Sequence, residues 1–250
     1  MADNIYIEHL HEVDSTNRYI RDEASRLWGI SPHSQAVAVV SERQTAGRGQ
    51  RGNVWHSRQG VNLLFSIMVR PAFLAAAQQF LLSEAVALAL HRTLLQYGID
   101  ALLKWPNDIY AGRCKLAGVL VEIDYSGSSV EQAIIGIGLN VNQTDFPAMD
   151  KLPVSMKMLL GIEVDREMLL SHLLDSFIIY YNLLASGEYD AIHSAYKERL
   201  LGLGEQRTYT DTDGTFEGTI EGVEPTGHLL VRRADGALSR YAFKEIEQMV

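Results

Sequence analysis

The chain has 250 residues, 47% of them hydrophobic, enough to bury a full core as one large domain with a small companion. Its net charge of −9 argues against a general nucleic-acid binder, and its single cysteine, Cys114, excludes an intrachain disulfide and an all-cysteine metal cage. No run of 18 apolar residues occurs and no charged-then-apolar leader opens the chain, so a cytoplasmic protein without a membrane span is expected.

In chain order, Ile5–Val13 reads as a strand, with His9 and His11 on one face but no third metal ligand nearby. Asp14-Ser15-Thr16-Asn17 then opens a helix whose apolar positions Tyr19, Ile20, Ala24 and Leu27 share a face, and any of these polar residues could cap it. Ala36–Ser41 is a short strand. It leads into the most informative stretch, Gln44-Thr45-Ala46-Gly47-Arg48-Gly49-Gln50-Arg51-Gly52-Asn53-Val54-Trp55. Glycines alternating with cations can wrap backbone N–H groups and guanidinium forks around an anion. A dinucleotide fingerprint matches by glycine spacing alone. It would open a helix and meet an acid about 20 residues on. Here the strand-like Val61–Met68 follows, and the next acid after Glu42 is Glu84. Lys and Ser/Thr do not follow the last glycine, so a P-loop is excluded too.

Phe73–Tyr97 reads as one long amphipathic helix closed by Gly98. After Ala101–Trp105, the turn Pro106-Asn107-Asp108 sets Lys104, Asn107 and Asp108 together, and Lys115–Asp124 and Val130–Gly138 form a hairpin. Lys115 in an apolar strand calls for an anionic partner if it is buried, while a solvated edge lysine is the ordinary alternative. Gly136-Ile137-Gly138-Leu139-Asn140 ends the hairpin with glycines that let a bulky ligand approach the backbone. Met156–Gly161, Asp165–Ser186 and Tyr189–Leu201 read as helices. Beyond Gly202-Leu203-Gly204, four or five short strands (Gln206–Thr210, Thr215–Val223, His228–Arg232, Leu238–Phe243) make a small barrel. The expected boundaries are 1–203 and 204–250.

Taken together and in order, Asp14–Asn17, Gln44 with the Gly-Arg-Gly loop, Lys104–Asp108, Lys115-Leu116-Ala117-Gly118 and Gly136–Asn140 resemble the biotin–protein ligases along nearly the whole chain. The resemblance implies an α+β fold: a mixed β-sheet flanked by helices, of the class II synthetase-like biotin–lipoate ligase type, followed by an SH3-like β-barrel. It implies that ATP activates biotin to biotinoyl-AMP with release of pyrophosphate. The acyl group then passes to a lysine of the biotin carboxyl carrier protein of acetyl-CoA carboxylase. Magnesium is the implied metal, with Asp108 as its ligand. Neither nucleic acid nor membrane is an expected partner, and the state is monomer or homodimer.

The resemblance also implies roles. Ser15, Thr16, Asn17 and Gln44 would contact biotin, with Gly118 lining the pocket. Gly47, Arg48, Gly49, Gln50 and Arg51 would hold the carboxylate and phosphate region, and Trp55 would pack over the closed loop. Lys115, with Arg48, Lys104 and Asp108, would serve catalysis; Asn107 and Asp108 would bind magnesium or help deprotonate the incoming lysine, Lys104 would steer charge there, and Asn140 would belong to the biotin and ATP site. Many members carry arginine where this chain has Gln50 and Asn53, so faster escape of the adenylate is expected. Phe243-Lys244-Glu245 lacks a glycine expected in the last barrel turn. The first strand lies within ten residues of Met1, which leaves no room for the helix-turn-helix domain of repressor members, so ligase function alone is expected. A lipoate–protein ligase would want an apolar pocket. A non-catalytic biotin or nucleotide module would bind without releasing pyrophosphate.

Overall fold

The computed structural model describes residues 4–147 and 151–248. Its first sheet has seven strands: β1 (Ile5–Val13), β2 (Ala36–Gln44), β3 (Leu63–Val69), β4 (Leu102–Lys104), β5 (Asp108–Ala111), β6 (Cys114–Ser126) and β7 (Ser129–Leu139). Their spatial order is β1-β2-β3-β7-β6-β5-β4. β1 and β2 run parallel and the other neighbours antiparallel, which makes the sheet mixed.

Alternation along the strands decides what each face does. Ala36, Ala38 and Val40 of β2, Phe65 and Ile67 of β3, and Ala133, Ile135 and Ile137 of β7 point into the main core. Helices α3 (Phe80–Gln96), α5 (Arg166–Ala185) and α6 (Tyr189–Glu198) cover that face. The opposite parity, Val37, Val39, Met68 and Ile134, meets Ile20 of α1 (Thr16–Asp22) and Leu27 of α2 (Ala24–Ile30). Gly136 shares the parity of Ile134, and it faces Asn17 at the start of α1. Gly138 and Gly118 continue the floor, directly paired across β6 and β7. A one-residue slip would turn all three glycines into the core, so the register itself makes the floor.

The predicted helix from residue 14 through Leu27 is two helices meeting at Glu23, with the same apolar face kept. The predicted start at Phe73 is wrong by seven residues. Leu74 is fully buried, and backbone bonds from Ala76 N to Ser128 O (2.8 Å) and Val130 N to Leu74 O (2.9 Å) tie this segment to the β6–β7 turn. Those tertiary bonds override local helix preference. Strand β5 was not anticipated as a strand; it is four residues long and takes its place by pairing with β4 and β6. α4 (Met156–Leu160) ends at Gly161, which is left-handed at φ 74°.

The second sheet is antiparallel, ordered β11-β10-β9-β8-β12, from β8 (Gln206–Asp211), β9 (Gly214–Val223), β10 (Leu229–Arg233), β11 (Leu238–Tyr241) and β12 (Ile246–Gln248). It is the SH3-like part, and β12 supplies the fifth strand. Its Tyr209, Ile220 and Val231 belong to the same apolar cluster as α3 and α6. Trp105 joins the two sheets: its Nε1 donates to Gly227 O at 2.9 Å, and its ring meets Phe243 edge-on at 6.3 Å.

Candidate active site

Where α1 begins and β2 ends, a polar cluster closes over the sheet. Ser15, Thr16 and Asn17 are each 3% exposed. Gln44 Oε1 accepts from Thr16 N at 2.7 Å and from Thr16 Oγ1 at 3.2 Å. The Ser66 hydroxyl lies 2.7 Å from Thr16 Oγ1 and 2.6 Å from Asn17 Oδ1, and Asn17 Nδ2 donates to Glu122 Oε2 at 2.9 Å. Ser15 stands at the cap position of α1, yet its hydroxyl makes no capping bond. Such a bond is typically worth about 1 kcal/mol, so this hydroxyl lines the pocket at some cost to the helix.

The glycine loop is held together by its own backbone. It folds as a miniature hairpin: Gly49 N donates to Asn53 O at 2.7 Å and Trp55 N to Gly47 O at 3.0 Å. A Cβ on Gly47 would stand 2.6 Å from Trp55 O, so this glycine serves close approach of the two arms. The N–H groups of Gly49 and Trp55 are thereby spent within the loop. Arg48 places its Nη1 3.5 Å from Glu122 Oε1. The Arg51 side chain lies outside the described residues.

Trp55 lies on the glycine floor. A Cβ on Gly138 would meet its ring at 2.3 Å and one on Gly118 at 3.0 Å. Its buried Nε1 has no hydrogen-bond partner among the described residues, nor has the buried Oε1 of Gln50. Beside the ring stands Lys115, its Nζ 5.6 Å from the centroid. The buried anion that sequence reasoning demanded for this lysine is Asp108, 6% exposed, with Oδ1 2.6 Å from Lys115 Nζ. Lys151 Nζ takes the other oxygen at 3.2 Å. Lys104 pairs with Asp108 across the β4–β5 turn, and burial, reinforced by the Lys151 charge, pushes its ammonium down to about 8. These groups line one cavity of about 130 Å³.

Two residues expected at the site also make bonds within the protein. Asn107 spends its amide on Val119 O at 2.6 Å, locking the proline turn onto β6. Asn140 lies behind the pocket wall, 4% exposed, and donates to Val154 O at 3.1 Å. Ser66, Glu122 and Lys151 went unread in the sequence. The one signal for the first two is a polar residue set among apolar strand neighbours; Lys151 carries no signal at all. His9 and His11 are both exposed and have separate neighbours, Glu167 and Gln59.

The donor set does not fit a protein-held magnesium. Among the described residues no three His, Cys, Asp or Glu side chains converge. Asp108, the expected ligand, faces an ammonium with each oxygen, and a divalent cation placed there would be repelled by both lysines. Asp108 is instead ion-paired with both lysines.

The Biotin/lipoate A/B protein ligase family matches residues 11–140, which contain the loop, Lys104, Lys115 and the glycine floor. The biotin–[acetyl-CoA-carboxylase] ligase of Paracoccus denitrificans is 34% identical over 236 residues, 91% of this chain and 94% of that protein. The bifunctional ligase/repressor BirA of Bacillus subtilis is 32% identical over 212 residues, covering 83% of this chain and 65% of that longer protein. Among solved structures, the biotin protein ligase from Aquifex aeolicus in complex with biotin and ATP superposes with a TM-score of 0.79 at 27% identity, covering 98% of each chain. With half its length matched by the family and its architecture shared end to end with solved relatives, this chain belongs to the biotin/lipoate A/B protein ligase family.

Proposed function

We propose that the chain is a biotin–protein ligase that joins biotin to AMP and passes the biotinoyl group to a lysine of a carboxylase carrier domain, that of acetyl-CoA carboxylase by analogy with the Paracoccus relative. The Asp108-held ammonium of Lys115 beside the glycine floor carries this reading. In the first step a carboxylate oxygen attacks the α-phosphorus, and the α–β anhydride bond breaks with its electron pair leaving on pyrophosphate. Both reactants are anions. Lys115, fixed by Asp108, offsets their repulsion and the charge that grows on phosphorus. Magnesium enters as part of the substrate, on the triphosphate.

Ser15, Thr16, Asn17 and Gln44 suit a ureido ring, whose N–H groups and carbonyl need both acceptors and donors. A site of that kind rejects analogues lacking the group by about 10⁴-fold. Arg48 and Gln50 face the carboxylate and phosphate side, with Trp55 above them to exclude water from the mixed anhydride. In the second step the neutral amine of the acceptor attacks the acyl carbon, the acyl–phosphate C–O bond breaks with its electron pair leaving on AMP, and the amine's proton passes to solvent. Residues 1–203 form the catalytic unit in this reading and 204–250 the SH3-like one, both acting in the cytoplasm.

Biotin-dependent exchange of labelled pyrophosphate into ATP is the decisive measurement. The wild type is expected to exchange, and Lys115→Met to lose roughly a hundred- to a thousandfold in rate. Exchange supported by lipoate and not biotin would reassign the substrate. Biotin binding without any exchange would reduce the chain to a binding module.

A further inference from the structure

Lys151 is a cation for which the reading above has no task. Asp108 holds it at 3.2 Å and Lys115 at 2.6 Å, so one buried carboxylate carries two ammonium groups and the trio keeps a net positive charge. The backbone beside Lys151 is fixed. Lys115 N donates to Leu152 O at 2.7 Å, Val154 N to Lys115 O at 2.9 Å, and Asn140 Nδ2 to Val154 O at 3.1 Å. This pairing sets Lys151 next to the start of β6 and on the wall of the same cavity as Arg48, Lys104 and Lys115.

The other cations of the cavity already have a place in that reading. Arg48 faces Glu122, and Lys115 is the tighter and less exposed partner of Asp108. Lys104 is half-buried and gives up part of its charge near pH 8. Gln50 and Asn53 add none. Of the two ammonium groups on Asp108, Lys151, with the longer contact and a side chain 47% exposed against 21% for Lys115, leaves the carboxylate at the lower cost, and Asp108 keeps its closer partner.

Resting on the ligase reading, we propose that Lys151 moves from Asp108 to the β- and γ-phosphates of ATP and follows them as pyrophosphate leaves, while Asp108 keeps Lys115 at the reacting centre. No bond to Lys151 forms or breaks; it binds the leaving group by charge.

Lys151→Gln and Lys151→Arg, made in the full chain, test this on the two half-reactions separately. In Lys151→Gln the KM for ATP and for pyrophosphate in exchange rises about tenfold. The KM for biotin stays as in the wild type, as does transfer from preformed biotinoyl-AMP to hydroxylamine, and Lys151→Arg recovers most of the loss. Equal losses in both half-reactions with a raised biotin KM would show a mere prop for Asp108 and overturn the assignment. Absence of biotin-dependent exchange in the wild type would sink the parent reading alone. Calorimetric titration with ATP then still decides, since Lys151→Gln is expected to bind ATP about tenfold more weakly and an unchanged affinity overturns the proposal.

Discussion

Glu122 joins parts of the site that are far apart in sequence. Its two oxygens take Asn17 of the polar cluster and Arg48 of the glycine loop, so order in one part supports order in the other. Gln50 is the weak point beside it: its buried carbonyl oxygen has no partner among the described residues, and it brings no charge to the phosphate side. Gln50→Arg restores a cation at that position. A charge-assisted hydrogen bond to the adenylate contributes about 1.5–3 kcal/mol, so dissociation of biotinoyl-AMP should slow roughly ten- to a hundredfold. Stopped-flow measurement of release from wild type and variant checks this, and equal off-rates would discard the idea. Single residues read best from sequence were those inside contiguous motifs. Lys115 needed an anion and has one, and Ser15 sits at a cap without acting as one. For Asn140 and Asn107 a motif position does not say which bonds the amide makes within the protein: Asn107 bonds Val119 O and Asn140 bonds Val154 O.

At the scale of elements, the floor depends on two paired strands presenting no side chain. A Cβ on Gly136 would stand 2.2 Å from Asn17 Oδ1, and Asn17 is held on its other sides by Ser66 and Glu122, so it has nowhere to yield. Gly136→Ala is therefore expected to push back the first turn of α1, destabilise the fold by about 1–3 kcal/mol and raise the KM for biotin. Gly29→Ala is the matched control: its Cβ meets nothing within 4 Å in α2, and it should stabilise by up to about 1 kcal/mol with an unchanged KM. Urea unfolding and exchange kinetics on both variants check the pair, and a Gly136→Ala that matches wild type in both would refute the close fit. The strands themselves were legible because β2, β3 and β7 carry short apolar runs rich in valine, isoleucine and leucine. What escaped was set by distant partners: Phe73–Gln79, whose backbone is claimed by the β6–β7 turn, and β5, too short to show a period. Lys244 bears out the missing glycine in another way. It stands at φ 74°, where a side chain costs about 1–2 kcal/mol that glycine would not.

Across the whole molecule, the face opposite the site holds one titratable group buried without full compensation. Glu84 of α3 is 0% exposed, bonded through Oε1 to His193 Nδ1 of α6 at 2.8 Å, while Oε2 has no partner among the described residues. Desolvation outweighs the histidine and pushes its carboxyl up from 4.5 to about 7. The folded chain thus keeps a proton that the unfolded chain releases at lower pH. The stability this group contributes is complete below about pH 4.5, falls as pH rises from there and is lost above about pH 7. With about 1.4 kcal/mol per pKa unit, the whole limb amounts to about 3 kcal/mol as an order of magnitude. Glu84→Gln cannot ionise and keeps the shape, so it should unfold at higher urea than wild type at pH 8 and lose this advantage at pH 5. Unfolding curves of both proteins at the two pH values decide the matter. A difference between variant and wild type that does not change with pH would mean that Glu84 stays ionised in the core and that its link to His193 holds α3 to α6 as an ion pair.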